Sequence, residues 1–168
     1  MFNSAFNGLK GVNANLDFYP AALADKIDVI NDPIYNDINN GVYKAGFATT
    51  KDAYEEAVTA LFERLDWVEE TLGRQPYLVG NRVTEADWRL FTTLIRFDPV
   101  YVGHFKCNIR RIADYKNIYT YMKKLYQHPG VADTVHFDHI KRHYYTSHTS
   151  INPTGIIPLG PDLSDLDR

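Results

Sequence analysis

The 168-residue chain has a single cysteine, Cys107, which excludes an internal disulfide framework and a cysteine-based zinc site. No stretch approaches the ~18 consecutive apolar residues of a membrane span. Met1-Phe2-Asn3-Ser4 has neither the basic start nor the apolar run of a signal peptide, so a cytoplasmic address is the expectation. Also missing are a P-loop, a dinucleotide fingerprint, a Gly-x-Ser-x-Gly elbow, a His-Glu-x-x-His pair and any RNA-binding motif. A net charge of −3 argues against a whole-chain nucleic-acid binder. There is no internal repeat, and no period-two alternation of strand length. What remains is an ordinary globular composition, 45% apolar and 23% charged, sized for one domain. Its unusual feature is 12 Tyr beside 9 Phe and 2 Trp, amphipathic rings that suit both a core and an aromatic-binding cleft.

The apolar spacing predicts an all-α fold of five to seven helices. After an irregular lead-in rich in Gly and Asn, Pro20 is placed for a first helical turn. Leu23, Ile27, Ile30, Ile34 and Ile38 then form one stripe. Pro33 is expected to kink or interrupt that helix, and Asn39-Asn40-Gly41 to interrupt it again. Tyr54, Val58, Leu61, Leu65, Val68 and Leu72 give the clearest helix, capped by Thr49 or Thr50 and stopped at Gly73. Thr84 and Asp87 spell a variant capping box, with Val83 and Trp88 at the positions of a hydrophobic staple. The helix they open runs through Leu90, Phe91, Leu94 and Ile95 and is expected to end at Pro99. Further helices are predicted from Tyr115 to Tyr126 and from Val131 to about Tyr144. The domain is read as residues 1–160, with 161–168 an acidic, frayed tail.

Charge is uneven. Between His104 and Tyr144 there are eight Lys/Arg and three Asp, net +5, leaving −8 for the rest of the chain. Five of the six His share that window. Such a region attracts an anion or a phenolate, although a solvated charged face is the commoner meaning. His136, His139 and His143 are spaced for one helix face, but two or three exposed histidines without a carboxylate motif do not make a metal site, and none is expected.

Several stretches resemble a known family. Tyr77-Leu78-Val79-Gly80-Asn81-Arg82-Val83-Thr84-Glu85-Ala86-Asp87 resembles the Tyr-Leu-x-Gly-x-x-x-Thr-x-Ala-Asp start of the buried helix in the α-helical C-terminal domain of glutathione transferases. The stretch Leu94-Ile95-Arg96-Phe97-Asp98-Pro99-Val100-Tyr101-Val102-Gly103-His104-Phe105-Lys106-Cys107-Asn108 is similar to the xi class, the omega-like glutathionyl-hydroquinone reductases. So are Asn39 to Ala48, Gln127 to Val131, Phe137 to Tyr145 and Ile151 to Ile156, in the family's order. The resemblance covers nearly the whole chain. It implies a glutathione-transferase C-terminal-like helical bundle, with the family's N-terminal thioredoxin-like domain and its Cys-Pro-x-x nucleophile absent from this chain.

That resemblance further implies reduction of a glutathionyl-hydroquinone to free hydroquinone, with glutathione as cosubstrate held mainly by the absent domain. It also implies a homodimer joined through helical domains, with neither nucleic acid nor membrane as partner. Tyr43, Tyr101 and Tyr144 match the family's tyrosines around the hydroquinone. Phenols suit that task, because they donate to a developing phenolate and their pKa near 10 matches a hydroquinone hydroxyl. Arg142, His143 and Lys106 are second candidates, as cations that favour an ionised phenol. Cys107 lies beside His104 and Lys106, but free cysteine is usually buried and the family's thiol belongs to the other domain. Alternatives are a non-catalytic interaction module, exposing the apolar face that normally packs on the thioredoxin-like half, and a simple aromatic-ligand binder.

Overall fold

Thr50 starts the longest helix as predicted: its hydroxyl accepts the Ala53 N–H at 3.3 Å, in a computed structural model that describes residues 2–167. Met1 and Arg168, which the expectations about the start and the tail include, lie outside the described residues. Six helices of six residues or more are present among the described residues. They are α1 Ala24–Ile34, α2 Gly41–Gly46, α3 Lys51–Leu72, α4 Glu85–Arg96, α5 Lys116–Tyr126 and α6 Phe137–Ser147. There is no strand among them, only an isolated bridge between Tyr77 and Gly80. The all-α expectation holds, and no helix is long and apolar enough to cross a membrane.

The buried residues follow the stripes. Ile27 and Ile34 of α1, Leu61 and Leu65 of α3, Leu90 and Leu94 of α4, and Ile118 and Leu125 of α5 are each at most 1% exposed. Each such side chain contributes roughly 1.5–3 kcal/mol by leaving water. Asp87 is buried among them and accepts four hydrogen bonds. The Thr84 N–H donates at 2.7 Å, the Thr84 hydroxyl at 2.9 Å, the Leu78 N–H at 2.9 Å and the Tyr121 hydroxyl at 2.8 Å. One carboxylate thereby fixes the 75–84 connector, the start of α4 and the middle of α5.

Two prolines behave differently from expectation. Pro33 does not interrupt its helix. The run continues as a π turn, Tyr35–Asn39, and passes Asn40 directly into α2. Proline removes one donor and crowds the carbonyl four residues back. The widened turn beyond it accommodates this, with Asn40 N–H reaching Tyr35 O five residues back at 2.9 Å. Likewise α4 does not stop at Pro99: it passes through a second π turn, Phe97–Tyr101, into a single turn at Val102–His104. Each π turn adds a residue to the helical circuit and so rotates the downstream residues by about 100°.

Two other expectations need correction. The last helix begins at Phe137, not Val131, because Val135 and His136 are extended after a short 3₁₀ turn at Ala132–Thr134. The tail is not frayed. Ser164–Asp167 forms a 3₁₀ turn that buries Leu166 to 1% exposure, and Gln127 Nε2 donates to Leu166 O at 2.9 Å. Tyr119 and Tyr126 donate to Asp165 and Asp167, so the tail's acids are bonded to α5. Leu166 joins the core and Leu163 packs against it, so the core runs on past residue 160.

Candidate functional site

Three hydroxyls from three segments meet. Tyr43 lies in α2 just after the first π turn, Tyr101 closes the second, and Tyr144 stands in α6. The Tyr144 hydroxyl is 2.6 Å from that of Tyr43 and 3.0 Å from that of Tyr101. The sequence-predicted trio is therefore brought together, with Tyr144 at its centre. Three phenols carry three protons, and two mutual hydrogen bonds use two of them. At least one donor is left to point at something else.

The ring bodies rest on Phe105. Tyr101 stacks on it with centroids 5.5 Å apart, while Tyr43 and Tyr144 meet it edge-on at 5.3 and 6.0 Å. Phe105 has this room because Gly46 has no side chain: a Cβ there would come within 2.3 Å of the Phe105 ring. Tyr101 and Tyr144 are buried, while Tyr43 is 37% exposed, so the trio has one wet edge.

That edge opens on a cleft of about 1000 Å³. One wall is the face of α4 carrying Glu85, Trp88, Arg89, Thr92, Thr93 and Arg96, and the other carries Tyr35, Asn39, Asn40 and Tyr43. Asn39 ties the walls by donating to Thr93 Oγ1 at 2.6 Å and to Arg89 O at 3.1 Å. The volume and mixed lining are those of a small-molecule site.

Burial sets the protonation. It pushes the Tyr144 phenol up to about 12, with Arg96 acting weakly in the opposite direction, and it pushes Tyr101 higher still. Both hold their protons at neutral pH and can donate. Behind them His104, 4% exposed, shares a hydrogen bond with His148, its Nε2 lying 3.1 Å from His148 Nδ1. Burial first, then His148 and Lys106, push His104 down to about 4, so this ring is neutral near pH 7.

The family described as "Glutathione S-transferase, C-terminal domain" matches residues 51–124. The glutathionyl-hydroquinone reductase YqjG of Escherichia coli (strain K12) is 59% identical over 168 residues, covering 100% of this chain and 50% of that protein. The glutathionyl-hydroquinone reductase PcpF of Sphingobium chlorophenolicum is 55% identical over 161 residues, 96% of this chain and 51% of the relative. Among solved structures, glutathione-bound YqjG superposes with a TM-score of 0.94 at 57% identity, over 100% of this chain and 54% of that one. The Xi glutathione-S-transferase of Phanerochaete chrysosporium gives 0.92 at 56% identity, over 97% and 56%. The chain carries a match to the glutathione S-transferase C-terminal domain and is similar over nearly its whole length to xi-class glutathione transferases. It spans about half the length of the curated relatives it matches.

Within this helical domain the second candidates fare less well than the trio. Lys106 and Arg142 do not line the cleft. Lys106 has a left-handed backbone, φ 59°, and its carbonyl accepts from the Tyr54 hydroxyl at 2.7 Å, which is a structural role. His143 lies beside Tyr144, ring centroids 5.1 Å apart, but makes no hydrogen bond to the trio. Cys107 is fully buried and its thiol is pushed up to about 12 by that burial, so it is no nucleophile. His136 precedes α6 while His139 and His143 lie in it, and no group of three or more His, Cys, Asp or Glu among the described residues is placed to hold a metal. The basic window is largely spent on local contacts, such as Arg110 to Asp66 at 2.5 Å and Arg111 to Asp114 at 2.6 Å. The cations that do line the cleft are Arg89 and Arg96, both outside that window, and Arg89 is paired with Glu85 at 3.5 Å. Sequence reasoning missed Trp88, Thr92 and Arg96, although their four-residue spacing on α4 carried the signal.

Proposed function

We propose that this chain is the hydroquinone-binding helical half of a glutathione-dependent reductase that converts glutathionyl-hydroquinones to hydroquinones. In that reaction a thiolate from a thioredoxin-like domain attacks the sulfur of the conjugate. A sulfur–sulfur bond forms, the sulfur–aryl bond breaks, and the ring carbon takes the electron pair and then a proton. The carbon is a poor leaving group unless charge spreads to the ring oxygens, which is where donors are needed. Tyr43, Tyr101 and Tyr144 are assigned that role: Tyr101 and Tyr144 hold their protons, the trio has an O–H to spare beside the cleft, and its flat rings suit a flat substrate.

The observation that carries this reading is the pair of contacts at 2.6 and 3.0 Å joining the three hydroxyls at the rim of an aromatic cleft. It is supported by relatives named for this reaction at 59% and 55% identity, and by a structural neighbour solved with glutathione bound. On this reading glutathione is the cosubstrate, a second copy of the chain is the partner, and the cytoplasm is the address, since a reducing compartment keeps the attacking thiol free. The test joins this chain to a thiol-bearing thioredoxin-like domain and replaces Tyr43, Tyr101 and Tyr144 singly by Phe. Turnover of a glutathionyl-hydroquinone should fall about 10–100-fold for at least Tyr144→Phe while the fold is kept. Unchanged rates in all three variants would end the assignment.

A further inference from the structure

Six residues of α4 face the cleft at Glu85, Trp88, Arg89, Thr92, Thr93 and Arg96. Two of them cancel: Glu85 and Arg89 pair at 3.5 Å. Arg96 has no carboxylate partner among the described residues. Among the described residues its one hydrogen bond is from Nη1 to Thr92 O of its own helix, at 2.7 Å, which uses one of its five donors. Asp98, the nearest acid in sequence, is turned away and accepts the Ile112 and Ala113 N–H groups at 2.6 and 3.0 Å. Arg96 is half-buried at the C-terminal end of the face, and the same cleft is lined by Tyr43, Tyr101 and Tyr144. A guanidinium with free donors beside aromatic walls and phenolic donors is a receptor for an anionic group carried on a ring.

Resting on the reading of the cleft as a hydroquinone site, we infer that Arg96 is its specificity-determining residue and selects hydroquinones bearing a ring carboxylate. The ring packs among the tyrosines, and the carboxylate accepts from the guanidinium. The net charge of the cleft fits this, since its other arginine is already neutralised. Arg96 acts on substrate choice, and the tyrosines on the reacting ring oxygens.

The test uses gentisate, which is hydroquinone carrying one carboxylate, against hydroquinone itself, titrated calorimetrically into the chain under anaerobic conditions. Gentisate should bind at least about fivefold more tightly than hydroquinone, a gap that narrows as salt is raised. Arg96→Gln should abolish the gap chiefly by weakening gentisate, and Arg96→Lys should keep part of it. Unchanged helical circular dichroism is expected for both variants, because the side chain bonds only its own helix. Equal binding of the two ligands to the unaltered chain, or a preference that survives in Arg96→Gln, would overturn the inference and leave the aromatic site standing. Binding of neither ligand would overturn both.

Discussion

Two tyrosine networks divide this molecule, and they end differently. At the core, the Tyr121 hydroxyl donates to Asp87, which also takes Thr84 and Leu78. The hydroxyls of Tyr19, Tyr54, Tyr115, Tyr119, Tyr126 and Tyr145 likewise end on a carboxylate or a backbone carbonyl. In the second network Tyr43, Tyr101 and Tyr144 end on one another, beside a cleft. An acceptor-terminated phenol has spent its proton on the fold. A phenol terminated by another phenol leaves a proton over. The difference separates tyrosines whose hydroxyls are spent on the fold from a trio with an O–H to spare, and it can be broken experimentally from either side.

The largest effect is expected at the closed network. Asp87→Ala orphans four donors that water cannot reach. The cost should be about 3 kcal/mol or more, read as a lowered urea midpoint at unchanged slope. A loss under ~1 kcal/mol would mean the node is not what fixes α4 to α5 and the 75–84 connector. Next comes Gly46→Ala, which forces a methyl to within 2.3 Å of Phe105. Overpacking of this kind costs about 1–3 kcal/mol. Because Phe105 stacks on Tyr101, hydroquinone binding should weaken along with stability, whereas Asp87→Ala should alter stability first. Full binding in Gly46→Ala would show that the trio does not depend on its aromatic floor.

Much of this was legible in the sequence, and the failures have causes. The capping box at Thr84 and Asp87 and the cap at Thr50 are local chemistry, so residue order reveals them. Tyr43, Tyr101 and Tyr144 could be picked from twelve tyrosines only through family resemblance, since their meeting is a tertiary fact. Pro33 and Pro99 misled because proline rules assume α geometry, and a neighbouring π turn removes the conflict. The tail misled because its acids outnumber its two anchors, Leu163 and Leu166, and the partners on α5 are some forty residues away. Arg96 was passed over because charge was tallied along the chain and not around a cleft.

A matched pair of conservative substitutions sharpens the contrast at smaller cost. Tyr121→Phe removes one donor to a buried carboxylate and should destabilise by about 1.5–3 kcal/mol without touching ligand affinity. Tyr144→Phe removes a hydroxyl whose partners are other hydroxyls with solvent nearby, and its stability cost should stay below about 1 kcal/mol. Ligand binding and turnover should respond in the opposite order. If both variants lost stability equally and neither lost binding, the two networks would be one kind of structure, and the division drawn from their acceptors would be wrong.

The smallest effect lies at alkaline pH. The folded chain holds the Tyr144 proton up to about 12, chiefly through burial, while an unfolded tyrosine releases its proton near 10. Between those values the native state binds more protons than the unfolded state. This contribution to stability is therefore complete below about pH 10 and is lost as pH rises toward 12. Tyr101 and Tyr121, raised further, extend the same loss upward. Spectrophotometric titration of the native chain should thus show a later step near 12, above the range of an unfolded tyrosine, before unfolding takes over. Tyr144→Phe should remove one phenol from that later step, and Tyr121→Phe should leave the step unchanged, because Tyr121 ionises only when the core opens. A Tyr144 phenol ionising at the ordinary value would mean that water reaches the centre of the trio. Its hydroxyls would then have no stronger claim on a hydroquinone than any tyrosine at the surface.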